Sequence, residues 1–287
     1  MDDADKLGAG DRGLEQLKKY AKDLVEVYGS EKEKREKLEA ANQQIIKYAD
    51  DLSKTISDLK AANRELQEAY LDTINRLVVA AEYRDEDTGA HIMRMSRYSA
   101  LLAEKLGLPA MEVQNTLYAV PMHDVGKIGI PDGILLKKGR LTEEEFQVMT
   151  THTTIGANIL ADSSAEILQL ARQIALCHHE KWNGKGYPEG LSRQKIPLVG
   201  RIVALADTFD ALTSKRPYKD PYPIEVACDI IKKECGQHFD PDVVEIFINN
   251  LDEMLKIKAE VGLAADVELS GFTWSERDQL EGTAKNR

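Results

Sequence analysis

The amino-acid sequence predicts an all-α protein, in which a long N-terminal coiled-coil helix precedes a helical bundle. Three observations support this prediction. Apolar residues recur with a heptad rhythm from residue 14 to about residue 80, and seven later segments follow a helical rather than an alternating period. In addition, no Asn-Gly or Asp-Gly dipeptide is flanked by alternating strands.

The first part of the chain, residues 1–72, has the pattern of a coiled coil. Its d positions are Leu38, Ile45, Leu52, Leu59 and Leu66, and its a positions are Asn42, Ala49, Ile56, Asn63 and Tyr70. The two asparagines at a positions favour a parallel, in-register dimer, and the frame continues upstream except where Glu31 and Arg35 occupy core positions. A single helix lying on the protein's own surface is the alternative, but it would extend about 80–100 Å at ~1.5 Å per residue. We therefore expect a homodimer that relays a signal from an upstream sensor or partner protein.

Residues 73–258 form the predicted helical domain. The segments with a helical period are 91–107, 111–124, 142–161, 165–179, 198–214, 223–235 and 241–258. Thr142 and Glu145 form a capping box at the start of the third segment. The periodicity is lost beyond residue 258, so residues 259–287 are expected to form a flexible tail.

Composition restricts the class of protein and of partner. The 287 residues, 43% hydrophobic and 30% charged, suit one soluble domain with an extended element. No apolar run approaches the roughly 20 residues of a membrane span, the start is acidic, and the three cysteines form no CxxC pair. We therefore expect a cytoplasmic protein that does not enter a membrane. The net charge of −11 argues against binding to a nucleic-acid polymer, so an anionic substrate would need metal ions or a few placed cations.

The six histidines point to metal chemistry. His91, His152 and His178 share helical faces with apolar residues, so each points toward the core. A lone inward histidine is usually a hydrogen-bonded core residue, but three in one domain would each need a buried polar partner. His179 follows His178 directly, and His123 stands beside a carboxylate. Neighbouring residues on a helix point about 100° apart, so adjacent ligands suit two ions better than one.

Carboxylates complete this pattern. Asp124 follows His123 and can bridge two ions, as carboxylates do in two-metal hydrolytic sites. Asp207 is followed one turn later by Asp210, and metal ions would offset the cost of burying such a pair. Imidazole and carboxylate donors suit iron, manganese, zinc, nickel or cobalt without choosing among them.

Five motifs, in order, resemble the HD-GYP family. They are His123-Asp124-Val125-Gly126-Lys127, His178-His179-Glu180-Lys181-Trp182-Asn183-Gly184-Lys185-Gly186-Tyr187-Pro188, Ala206-Asp207-Thr208-Phe209-Asp210, Arg216-Pro217-Tyr218-Lys219 and Gln237-His238-Phe239-Asp240-Pro241. The resemblance runs from about residue 73 to residue 258 and does not cover the coiled coil. It implies an HD-type helical bundle and a phosphodiesterase that binds two or three divalent ions, iron or manganese. The implied reaction is hydrolysis of cyclic di-GMP to pGpG, GMP or both.

The resemblance also implies roles for single residues. One ion would be held by His91, His123, Asp124 and Asp207, and a second by Asp124, His152, His178 and His179. Asp87, one turn before His91, is the candidate ligand of a third ion, although family members with three ions usually have glutamate there. The expected substrate contacts are Lys127, Tyr187, Asp210, Arg216 and Lys219.

The expected mechanism is in-line attack on phosphorus by a hydroxide that bridges the metals, with Lys127 beside the developing charge. Two alternatives stay open. The chain could be a non-catalytic dimeric receiver of a cyclic dinucleotide, although such a module has no need of five metal-directed histidines. It could also cleave another cyclic dinucleotide, such as a mixed cyclic GMP-AMP. Turnover by metal-loaded protein distinguishes an enzyme from the receiver, and a panel of cyclic dinucleotides distinguishes the possible substrates.

Overall fold

A computed structural model describes residues 4–82, 89–215 and 220–267. Its α-helices are α1 (Ala4–Glu82), α2 (Gly89–Lys105), α3 (Ala110–Ala119), α4 (Asp132–Leu135), α5 (Glu143–Thr150), α6 (His152–Ile159), α7 (Glu166–Cys177), α8 (Leu198–Thr213), α9 (Ile224–Lys233), α10 (Pro241–Asn249) and α11 (Leu251–Val267). Short 3₁₀ helices cover Val120–Met122, Val125–Gly129 and Arg193–Lys195. The described residues contain isolated β-bridges but no strand, which confirms the all-α prediction.

The chain divides into two compact units, Met1–Glu68 and Ala69–Arg287. In the first unit α1 is unbroken, and every side chain described from residue 14 to residue 68 is exposed. The helix continues through the polar interruption of the heptads, where ion pairs Lys34–Glu31 (3.0 Å) and Lys37–Glu33 (2.6 Å) link successive turns. Among the described helices, none has both the length and the apolarity that crossing a membrane requires.

The core of the second unit is centred on α2 and α8. Tyr98 of α2 packs edge-on against Phe209 of α8 with ring centroids 5.6 Å apart, and Phe209 meets Phe247 of α10 at 5.0 Å. All three rings are fully buried, and each such burial contributes about 1.5–3 kcal/mol. This packing fixes α8 against α2, the two helices that carry Asp207 and His91.

The chain is helical well past residue 258, contrary to the expected tail. α11 runs to Val267, and Met254 and Val261 on it are buried. Ion pairs Lys105–Glu253 and Arg97–Glu260, both 2.6 Å, join it to α2. Residues 259–267 therefore belong to the helical domain, and residues 268–287 of the expected tail lie outside the described part.

Two of the predicted helices are interrupted, and a third ends early. In the segment 111–124, α3 stops at Ala119 because Pro121 has no N–H to continue the α-helical ladder. The segment 142–161 begins with the expected capping box but divides at Thr151, where threonine hydroxyls bond back to carbonyls three residues earlier. The segment 241–258 divides at Asn250, whose side-chain amide donates to Ile246 O at 2.8 Å.

Candidate metal centre

Three histidine rings are oriented by the same local contact. In each, Nδ1 faces a main-chain carbonyl oxygen three or four residues earlier, at 3.0 Å for His123, 2.7 Å for His152 and 3.0 Å for His178. A carbonyl oxygen can only accept, so Nδ1 carries the proton and Nε2 presents its lone pair. The three rings are buried. The backbone one turn before each histidine therefore sets both the tautomer and the direction of the donor atom.

The carboxylate of Asp124 lies where these donor atoms converge. Its Oδ2 is 3.2 Å from Nε2 of His123, while its Oδ1 is 3.3 Å from Nε2 of His152 and 3.5 Å from Nε2 of His178. The two oxygens of one side chain thus face two different sets of imidazoles. This is the arrangement that a bridging ligand of a two-ion site requires.

Two clusters of candidate ligands result. The His178 cluster consists of Asp124, His152, His178 and His179, and the His91 cluster of His91, His123 and Asp207. Within each cluster the donor atoms all lie within 4.8 Å of one another. The clusters adjoin, since the rings of His123 and His178 are in edge contact with centroids 5.3 Å apart.

The donor atoms of the His178 cluster fit a bound cation. Nε2 of His152, Nε2 of His178 and Oδ1 of Asp124 are buried and have no hydrogen-bond partner among the described residues. Leaving one such polar atom buried and unsatisfied costs about 1–3 kcal/mol, so three in one place need a common partner. Imidazole and carboxylate donors suit a first-row transition metal.

The protonation states of the cluster also suit metal binding. Burial lowers the pKa of His152 to about 4, although Asp124 acts in the opposite direction. Burial and the neighbouring His178 lower the pKa of His179 well below its ordinary value. Burial opposes ionisation of Asp124, but Lys127 and His123 outweigh it and hold the pKa of that carboxyl well below its usual range. At neutral pH His152 and His179 are therefore neutral imidazoles beside the ionised carboxylate of Asp124.

Gly126 brings the Asp124 segment close enough to α6 for this convergence. A Cβ on Gly126 would lie 1.9 Å from the carbonyl oxygen of His152 and 2.4 Å from the nitrogen of Gly156. Both neighbours are backbone atoms, so no side-chain rotation could relieve the contact. The glycine in the His-Asp-Val-Gly-Lys motif is thus a requirement of the packing that places Asp124 beside His152.

The loop after His179 is tied down by Glu180 and by a second close glycine. Glu180 is buried and accepts from the main-chain N–H of Glu189 at 2.8 Å. A Cβ on Gly186 would lie 2.3 Å from the nitrogen of Lys181. The loop returns Tyr187 to the cluster, where its ring lies over that of His179 with centroids 4.8 Å apart. Burial raises the pKa of the Tyr187 phenol, which stays protonated and can donate a hydrogen bond.

Of the expected substrate contacts, Lys127 and Tyr187 lie at the clusters. Nζ of Lys127 is 2.9 Å from Oδ2 of Asp124. The half-buried Tyr187 also meets Phe146 edge-on at 5.9 Å, and Phe146 is half exposed. Asp87, Arg216 and Lys219 lie outside the described residues.

Asp210 is not placed as expected. Its side chain is almost fully buried, and it accepts from Nε and Nη2 of Arg94 and faces Nδ1 of His91 at 2.8 Å. Burial opposes its ionisation, but Arg94 and His91 outweigh this and lower its pKa. A carboxylate enclosed in this way has no face for a substrate, so the assignment as a substrate contact is wrong. The sequence motifs do not identify Arg94 as the partner of Asp210. The signal for it is an arginine one turn after His91, on the same inward face of the helix.

Comparisons with known proteins agree with this picture. A family model described as the HD domain matches residues 4–243. The chain is 48% identical over 184 residues to "Cyclic di-GMP phosphodiesterase" of Thermotoga maritima, which covers 64% of this chain and 50% of the relative. It is 42% identical over 197 residues to "3'3'-cGAMP-specific phosphodiesterase 2" of Vibrio cholerae, which covers 69% of this chain and 38% of the relative. The chain thus spans half or less of the length of these two relatives.

A solved structure supports the fold alone. The crystal structure of a cyclic GMP-AMP specific phosphodiesterase of V. cholerae superposes with a TM-score of 0.50 at 21% identity, covering 67% of this chain and 52% of that one. An HD-type helical bundle, as the sequence motifs implied, is therefore confirmed.

Proposed function

The chain belongs to the HD domain family, and from this membership we propose that it is a metal-dependent phosphodiesterase that hydrolyses cyclic di-GMP. One observation carries the proposal. The two oxygens of Asp124 face two separate sets of buried imidazoles, as the shared ligand of a two-ion hydrolytic centre must do. A receiver that only bound a nucleotide would gain nothing from this convergence of metal donors.

The two clusters define how the ions would be held. His91, His123, Asp124 and Asp207 would hold one ion, and Asp124, His152, His178 and His179 the other. Divalent ions of iron or manganese bound there would make water nucleophilic at neutral pH and neutralise charge on the phosphoryl oxygens.

The remaining residues position and stabilise the substrate. Lys127 projects a positive charge to the edge of the His178 cluster, where it stabilises negative charge that develops on the phosphoryl oxygens. Tyr187, protonated at neutral pH, offers its hydroxyl to a phosphate or nucleobase and its ring to stacking. Arg216 and Lys219 stay predicted contacts, as does Asp87 as ligand of a third ion.

Cyclic di-GMP competes with mixed cyclic GMP-AMP as the substrate. The Thermotoga relative is named for the first nucleotide and the Vibrio relative for the second. We propose the first, because identity to the Thermotoga relative is higher. Side-by-side kcat/KM values for the two nucleotides decide between them.

The activity test uses anaerobically purified full-length chain, reconstituted with Mn²⁺ or Fe²⁺ and incubated with cyclic di-GMP. Chromatography identifies pGpG and GMP as products. The Asp124→Asn variant is the control, since it removes one charge from the shared ligand without changing its size. We expect turnover by the wild-type protein and none by the variant. Metal-replete wild-type protein that binds the nucleotide but never cleaves it would establish the receiver alternative.

We also propose that α1 forms a homodimeric coiled coil through its heptad positions. Leu38, Ile45, Leu52, Leu59 and Leu66 are each 60–69% exposed in the single chain. Burying such side chains stabilises an association by up to about 1.5–3 kcal/mol each. A second copy in register would cover all of them at once. The helix is then suited to pass a signal from an upstream partner in the cytoplasm.

A further inference from the structure

His91 is held differently from the other oriented histidines. The rings of His123, His152 and His178 donate to carbonyls of their own chain segments, three or four residues away. Nδ1 of His91 instead faces Oδ2 of Asp210, 119 residues further along the chain and on a different helix. The orientation of His91 therefore depends on a tertiary contact between α2 and α8.

Asp210 is fully engaged in this contact. Its Oδ1 accepts from Nε of Arg94 at 2.5 Å, and its Oδ2 accepts from Nη2 of Arg94 at 2.8 Å and from Nδ1 of His91 at 2.8 Å. Asp210, His91 and Arg94 are all buried. The bidentate pair with Arg94 fixes the carboxylate, and the carboxylate can only accept, so His91 presents its Nε2 lone pair.

The same contact aligns another ligand of the His91 cluster. Asp207 lies one turn before Asp210 on α8, and both helices also meet through Tyr98 and Phe209. A shift of α2 along α8 would therefore separate His91 from Asp207. No ligand of the His178 cluster lies on α2 or α8.

We propose that Asp210 is the positioning residue of the His91 cluster, and that this cluster's ion depends on the docking of α2 on α8 while the ion of the His178 cluster does not. The proposal rests on the metal centre put forward above. The two ions then differ in how their histidine ligands are oriented. Local backbone contacts orient His152 and His178, whereas a clamp between two helices orients His91.

The Asp210→Asn variant tests the clamp because asparagine cannot satisfy all three donors. If its amide oxygen faces His91, its NH₂ group faces the Nε–H of Arg94, and two donors cannot form a hydrogen bond. If its NH₂ group faces His91, Nδ1 must accept, and the proton moves to Nε2, the atom that would bind the ion. Either arrangement weakens the clamp with almost no change in side-chain volume.

Asp240 provides a matched control. It too is a buried aspartate paired with an arginine, Arg201, and it caps α10 through the N–H of Asp242 at 3.0 Å. These partners lie outside both clusters. Asp240→Asn therefore reproduces the loss of a buried ion pair without touching a histidine ligand.

The experiment titrates Mn²⁺ into metal-free full-length protein by calorimetry, and urea unfolding in chelator measures the stability of each variant. We expect two ions on the wild-type chain. Asp210→Asn should keep one ion at wild-type affinity and bind the other about 10–100-fold more weakly, whereas Asp240→Asn should keep both. Two ions bound by Asp210→Asn with wild-type affinity, or the same selective loss in Asp240→Asn, would overturn the proposal. A wild-type chain that binds no ion would instead refute the metal centre itself.

A second measurement needs no variant and covers the case in which Asp210→Asn does not fold. Long-range ¹H–¹⁵N NMR of the metal-free wild-type protein reports the tautomer of each histidine. We expect His91 to carry its proton on Nδ1. A proton on Nε2 of His91 with none on Nδ1 would mean that the carboxylate does not set the tautomer, which contradicts the proposed clamp.

Discussion

Replacing Gly126 with alanine should damage stability and metal binding together. The new Cβ would lie 1.9 Å from the carbonyl oxygen of His152, whereas ordinary contact begins at 3.4 Å, so the backbones must separate by about 1.5 Å. Overpacking of this kind typically costs about 1–3 kcal/mol. The displacement also moves Asp124 away from Nε2 of His152, now 3.3 Å from its Oδ1. A misplacement of about 1 Å can lower activity about 100-fold.

Gly133→Ala is the matched control for this prediction. Gly133 lies on α4, seven positions along the chain, and a Cβ there would meet nothing within 4 Å. We expect it to keep wild-type Mn²⁺ binding and to be neutral or stabilising by about 0.4–1 kcal/mol. Urea unfolding and Mn²⁺ calorimetry compare both variants with wild type. A Gly126→Ala protein as stable as Gly133→Ala, with both ions bound at wild-type affinity, would refute the reasoning.

Three further predictions concern charge and association. Lys127→Ala should lower kcat about 10²–10³-fold, because the lysine stabilises negative charge that develops on the phosphoryl oxygens. It should not weaken Mn²⁺ binding, because the lysine repels cations. Weaker Mn²⁺ binding by the variant would contradict this role. Burial lowers the pKa of His238 to about 4, so the folded protein binds fewer protons than the unfolded chain below pH 6.5. The free energy of unfolding should therefore fall as the pH drops from 6.5 to 4, by up to about 3 kcal/mol from this residue. The His238→Gln variant lacks this group, so urea unfolding at each pH should show a smaller fall than in the wild-type protein. An equal fall would contradict the assignment of this pH dependence to His238. Leu52→Asp should produce monomers in light scattering while Lys54→Asp, on the opposite face of α1, stays dimeric; dimers of both would show that the heptad seam is not the interface.

The sequence predicted most of what lies inside the second unit, because the signals are local. Apolar periodicity predicts the helices, and the resemblance of the ordered motifs to a known family predicts the ligands of both clusters. Seven of the eight predicted ligands lie in the two clusters, and the eighth, Asp87, lies outside the described residues. Helix ends were harder, since the apolar period runs on through Thr151 and Asn250 while side-chain hydrogen bonds divide the helices there.

The role of Asp210 could not be derived from spacing. Its position one turn after Asp207 indicates a shared helical face but not how deeply each side chain is buried. Asp210 is buried against Arg94 and His91, which lie more than one hundred residues earlier in the chain. A contact of this kind becomes visible only when α2 and α8 are packed together. The same limit applies to Glu180, because its hydrogen bond to the main-chain N–H of Glu189 in the loop of Tyr187 has no signal in the sequence.

The charges at the described clusters bear on the choice between enzyme and receiver. Asp124 and Asp207 bring two formal negative charges, Lys127 brings one positive charge, and Asp210 is already paired with Arg94. His152 and His179, whose pKa values are lowered by burial, are neutral and add nothing to this balance. Without divalent ions this part of the site would therefore repel the phosphodiester groups of a cyclic dinucleotide. Binding of the nucleotide should then require metal as strictly as cleavage does, and tight binding by chelator-treated protein would indicate a recognition surface apart from the two clusters.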